Sequence, residues 1–140
     1  MKKVLLAVLM ISVFASCKKS KSNSCEVSVA AMSGTYKLTK YTFKVTNLPA
    51  QDYTNLLTDC DKSGIYQLNA DKTATYSNDA SCFDNETGTW DVVDGKITIS
   101  VGYYIDDLKV AGWDCNGFDA EESNSTSGIT STSSYHFTKQ

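Results

Sequence analysis

Residues 60–82, CDKSGIYQLNADKTATYSNDASC, and 86–101, ETGTWDVVDGKITISV, read as two consecutive β-hairpins on which the rest of the chain is organised. In the first, Ile65, Tyr66 and Leu68 lead into the turn formers Asn69 to Lys72, and Thr73 to Tyr76 return as a β-branched and aromatic run. Folding that ladder about the midpoint between Ala70 and Asp71 sets Cys60 opposite Ser81. A small bulge then lets Cys60 meet Cys82 as a disulfide across the open end. In the second hairpin Asp94-Gly95 demands a type I′ turn, with φ > 0 at both residues. Pairing about it places Trp90 opposite Ile99, Val92 opposite Ile97 and Gly88 opposite Val101 on a buried face, with Asp91, Thr98 and Ser100 on the wet one.

Outward from this frame, Gly34-Thr35-Tyr36-Lys37-Leu38 opens a strand that continues through Tyr41, Phe43 and Val45. Its apolar parity changes after Leu38, which predicts a bulge near Thr39-Lys40 or a barrel corner. The pattern Gly-Thr-aromatic-x-aliphatic returns as Gly88 to Val92, each copy a strand start with the ring turned inward. Between the copies, Pro49, Asp52 and the spacing of Tyr53, Leu56, Leu57 and Cys60 predict one short amphipathic helix lying on the sheet as a lid. Beyond the hairpins the expectations are a strand over Tyr103 to Val110, an acidic loop over Gly112 to Glu122 and a Ser/Thr-rich run over Ser123 to Ser134. A closing strand from about Gly128 to Thr138 follows, with Tyr135 and Phe137 inward.

At the other end, Lys2-Lys3, the apolar run Val4 to Phe14 and Ala15-Ser16-Cys17 have the layout of a secretory signal peptide over 1–16. The run is too short to stay in a bilayer, since eleven helical residues reach about 16 Å against a hydrocarbon core of roughly 30 Å. Phe14-Ala15-Ser16-Cys17 resembles a bacterial lipobox, whose cysteine is acylated and becomes the new N-terminus. Phe14 departs from it, Leu being usual there, and simple cleavage leaving Cys17 as a free thiol is the rival. Residues 17–24 form a polar tether to a domain over 25–140, and Lys18, Lys19 and Lys21 can hold it near anionic headgroups. The absence of acidic residues just after Cys17 favours an anchor in the outer membrane facing the periplasm.

The domain carries 8 Lys against 16 Asp plus Glu, a net charge of −8, and the chain has no Arg. Such a surface can neither neutralise a run of phosphates nor grip them bidentately, which excludes nucleic acid as a partner. Apart from Cys17, four cysteines remain and allow three connectivities. Hairpin geometry selects Cys60 with Cys82 and leaves Cys25 with Cys115. A zinc site would need a C-x-x-C pair or more than the single histidine present.

The order of motifs, Gly34-x-Tyr36-x-Leu38, Cys60-Asp61-Lys62, Tyr66-x-Leu68-Asn69-Ala70-Asp71-Lys72-Thr73, Cys82, Gly88-Thr89-Trp90 and Asp94-Gly95, resembles the lipocalin-like lipoproteins of the Bacteroidota over roughly residues 34 to 108 and the last strand. The resemblance implies an all-β, small antiparallel lipocalin-like barrel of six to eight strands behind a lipidated cysteine. Tyr36 stands where the family usually has Trp and Lys72 where the hairpin usually has Gly. The segment from Gly112 to Ser134 is longer than the expected turn.

No residue pattern calls for catalysis, a cofactor or a metal. His136 points outward on the last strand, away from inward Tyr135 and Phe137, and reads as solvated surface. Asp114, Asn116, Asp119 and Glu121 have a calcium-loop composition without its Asp-x-[Asp/Asn]-x-[Asp/Asn]-Gly order. Asp106-Asp107 and Glu121-Glu122 are adjacent pairs, which diverge on a strand and do not flank a glycosidic bond. The sequence thus leads to a membrane-anchored, non-catalytic lipoprotein. Its ligand would be a small apolar molecule lined by Tyr36, Leu38, Tyr66, Leu68, Trp90, Val92, Ile97, Ile99 and Phe137. The alternative is a filled barrel acting as a cell-envelope interaction module, with a protein partner that the sequence does not name.

Overall fold

The computed structural model describes residues 25–78, 81–102, 105 and 108–140. The signal peptide, Cys17 and the tether lie outside the described residues, as do Tyr103, Tyr104, Asp106 and Asp107 of the expected strand after the second hairpin. The chain is all-β: β1 (Gly34–Val45), β2 (Gln51–Asp52), β3 (Ile65–Leu68), β4 (Thr73–Ser77), β5 (Glu86–Val93), β6 (Lys96–Ser100), β7 (Lys109–Trp113), β8 (Gly117–Thr126) and β9 (Ile129–Lys139). Eight of these strands run in the antiparallel order β6-β5-β4-β3-β1-β9-β8-β7, with β2 added to β1. The sheet curls so that its end strands β6 and β7 approach each other, making a nearly closed eight-stranded barrel.

Alternation explains the barrel wall. Along β3 and β4, Tyr66, Leu68, Ala74 and Tyr76 are buried while their neighbours face out. β5 and β6 pair Trp90 with Ile99 and Val92 with Ile97, the register that the Asp94-Gly95 turn imposes. Gly88 follows from close approach: a Cβ there would lie 1.8 Å from the Ser100 carbonyl oxygen. In β1 the register shifts between Leu38 and Lys40, so the parity change is a β-bulge. The core is a continuous chain of aromatic contacts. Tyr36 meets Phe118 at 5.1 Å, Phe118 meets Phe137 at 5.1 Å, Phe137 meets Tyr66 at 5.1 Å and Tyr66 meets Tyr76 at 4.8 Å.

The first hairpin is centred one half-step further along than its sequence suggests. Leu68 pairs with Ala74 and Ile65 with Ser77, so the ladder folds about Asp71 itself. The extra residue is Lys72, at φ +70°, in the left-handed conformation that glycine usually supplies. With the bulge inside the turn, Cys60 and Cys82 fall symmetrically about it and are bonded. The second disulfide joins Cys25 to Cys115.

Two expectations are corrected. No single helix spans 49–60. That stretch is β2, a 3-10 turn at Thr54–Leu56 and a separate helix α2 (Asp59–Ser63). Thr58 and Asp61 close a reciprocal capping box at the start of α2, and this local hydrogen bonding fixes the helix start at Asp59. A further helix, α1 (Val29–Met32), precedes the barrel and buries Met32, whose carbonyl accepts the Tyr36 hydroxyl. The second correction concerns the acidic segment 112–122. It is the end of β7, a tight turn and the start of β8, because Phe118 and Ala120 turn inward opposite Phe137 and Tyr135.

Candidate functional site

The barrel is left open at one seam. Among the described residues no ladder pair joins β6 to β7, although they are the facing ends of the sheet. A cleft of about 680 Å³, open to solvent, lies there. Trp90, Ile97, Ile99 and Leu108 give it apolar surface, and Asp71, Lys72, Asp91 and Lys109 give it a charged rim.

Each part is fixed by local structure. The β3–β4 turn folds over β5, where the Trp90 amide donates to the Lys72 carbonyl at 2.9 Å and the indole Nε1 donates to the Asn69 carbonyl at 2.8 Å. The ring is therefore held by both ends of one turn. On the rim, Lys72 Nζ lies 2.9 Å from Asp91 Oδ2. That hydrogen bond, with a second from the Val92 amide, holds the Asp91 carboxyl below the usual range. The Thr73 hydroxyl and amide do the same for Asp71.

Three of the nine expected lining residues, Trp90, Ile97 and Ile99, reach this cleft. Tyr36, Leu38, Tyr66, Leu68 and Phe137 are 0–2% exposed and pack against one another, and Val92 leans on the same core. Leu108, Lys109 and the Lys72–Asp91 pair were not legible as site residues. The pair could have been found from the hairpin order, which folds the turn back over the next strand. Among the described residues, no three His, Cys, Asp or Glu side chains converge as metal ligands would.

His136 needs correction. It faces outward, but its Nδ1 lies 2.8 Å from Asp119 Oδ1, and the ring is half-buried over Gly117. β8 and β9 place the two residues directly opposite each other, a pairing invisible while Asp119 was assigned to a loop.

A family model described as a lipocalin-like domain matches residues 32–138, from the end of α1 to the end of β9. The chain belongs to the lipocalin-like family. No curated protein and no solved structure matches it. The lipocalin-like fold is generally a non-enzymatic binding fold and suits a small ligand. In this lipocalin-like domain the Tyr36 phenol is fully buried, and desolvation pushes its pKa up to about 12.

Proposed function

We propose that this domain is a non-catalytic binding module, anchored to a membrane of the bacterial cell envelope through acylated Cys17, that takes a small apolar ligand in the seam cleft between β6 and β7. The observation carrying this reading is the cleft itself. It offers about 680 Å³, with an apolar patch of Trp90, Ile97, Ile99 and Leu108 set among eight polar lining residues that could orient a ligand. Its position differs from the barrel axis because the aromatic core occupies the interior. Three acyl chains on Cys17 would give durable anchoring, at about 0.8 kcal/mol per buried CH₂. Orientation toward the periplasm from the outer membrane is supported by the basic tether.

The test uses Trp90 as reporter in a Trp113→Phe background. Titration with palmitate and other apolar metabolites is expected to change Trp90 emission saturably, and Leu108→Asp should abolish the response. A linear or absent response to all of them would overturn the reading and leave the filled-barrel interaction module as the better account. Independently, Cys17→Ala should move the protein from the membrane pellet to the soluble fraction. Continued pelleting would sink the anchor.

A further inference from the structure

We propose that the barrel carries a second site, for a neutral sugar ring, on the aromatic face where β1, β9 and β8 run on past the core. Register fixes its place. The seam cleft lies level with the Gly34 end of β1, since Leu68 pairs with both Gly34 and Ala74, and Ala74 pairs with Gly88. The second face lies at the Val45 end, where Tyr41, Phe43 and Val45 stand opposite Tyr135, Ser133 and Ser131. β8 continues the same rows with Ala120, Glu122 and Asn124.

The rings assemble into a tilted cluster in which Tyr53 is the most exposed ring. Tyr41 and Tyr135 stack at 5.0 Å with 12° between their planes. Tyr53, carried in by β2, stands 6.3 Å from Tyr41 and 6.5 Å from Phe43, and is 37% exposed. Polar groups border the rings one row along. Tyr41 Oη lies 3.5 Å from Ser133 Oγ, and Asn124 Nδ2 donates to Glu122 Oε1 at 3.3 Å. Glu122 is also close enough to raise the Tyr135 phenol, after burial and Tyr41.

This chemistry selects the ligand. A purely apolar molecule would strip water from Glu122 and Asn124 and return no hydrogen bonds. An anion would meet the Glu122 carboxylate, while Lys40 and Lys44 alternate to the opposite face of β1. A pyranose matches both features: a flat C–H face to lie on tyrosine and a rim of hydroxyls for a carboxylate, an amide and a serine.

Calorimetric titration of the full chain, held in a non-glycosidic detergent, with N-acetylchitotriose, cellotetraose and maltotetraose tests the proposal. At least one should bind saturably, and Tyr53→Ala and Glu122→Gln should each weaken it by about tenfold or more. Tyr53 is exposed, so its loss leaves the core intact, which near-ultraviolet circular dichroism checks. Leu108→Asp, at the seam, should leave sugar binding unchanged, which separates this site from the cleft. The proposal is overturned if none of the three saturates at millimolar concentration or if binding survives Tyr53→Ala. Equal binding of an anionic heparin tetrasaccharide would also overturn it.

Discussion

The β5–β6 and β8–β9 hairpins share one turn and differ in everything the turn does not control. Each is closed by two residues at positive φ, Asp94 (+51°) with Gly95 (+72°) and Ser127 (+52°) with Gly128 (+80°). Each therefore has the tight register of a two-residue connection. β5–β6 turns Trp90 and Ile99 into the core, at 2% and 4% exposure. The outer half of β8–β9 is held by hydroxyl pairs at the surface, Ser123 with Thr132 at 2.9 Å and Ser125 with Thr130 at 2.8 Å. Identical turns thus serve two physical regimes. Burial of a large ring contributes kilocalories, whereas an exposed hydroxyl pair exchanges water for protein at little net gain.

The sharpest way to break this contrast is Trp90→Ala, which removes a buried indole and its bond to Asn69. Denaturant unfolding should show a loss of about 3 to 5 kcal/mol. A loss below about 1 kcal/mol would mean that the β5–β6 hairpin is no better buried than β8–β9. Next in size, Cys60→Ser with Cys82→Ser opens a loop of 22 residues and should cost about 3 kcal/mol, read in the same way. Non-reducing peptide mapping must return Cys60 with Cys82 and Cys25 with Cys115.

Alkaline titration reads the core between the two hairpins, where Tyr36 of β1 meets Phe118 of β8. Tyr36 ionises near 10 when unfolded and at about 12 when folded. Its contribution to stability is therefore complete below pH 10 and is lost as pH rises from there through about 12. Phenolate absorbance of Tyr36→Phe against the parent should show the missing late-titrating group, and the variant's stability should fall less over that window. On the acid side Asp91 is held low chiefly by Lys72, so its contribution is present above the ordinary Asp range and is lost as pH falls through its lowered folded value. Asp91→Asn should flatten that limb. Smallest of all, Thr132→Val removes one exposed hydroxyl pair and should shift stability by no more than about 0.5 kcal/mol.

Residues 60–101 were legible because the inward rows are apolar from Tyr66 to Tyr76 and again from Trp90 to Ile99, so pattern and turn chemistry agree. β8 was not. Its inner row runs Phe118, Ala120, Glu122, Asn124, apolar for only two positions, and the sequence GFDAEESNST reads as loop. Ser127-Gly128 was an available turn signal, weaker than Asp94-Gly95 and set in a Ser/Thr-rich run that hid it. Around 49–60, helical spacing of Tyr53, Leu56 and Leu57 outweighed the local Thr58-x-x-Asp61 capping box, which starts the helix after those residues.

The sequence by itself determined the hairpins, their inward sets, a change of parity in β1, an acidic domain without arginine and an arrangement of cysteines in which one pairing follows from a turn. Those are local properties, set by alternation, turn residues and charge. Only the tertiary structure decided that, among the described residues, nine strands form and β6 faces β7 without a ladder pair, and that Trp90, Ile97 and Ile99 border a cleft while Tyr36, Leu38, Tyr66, Leu68 and Phe137 fill the interior. The reason is geometric. Whether an inward side chain meets another side chain or open space depends on how far the sheet tilts and shears before its ends meet, and that is fixed by the strands acting together.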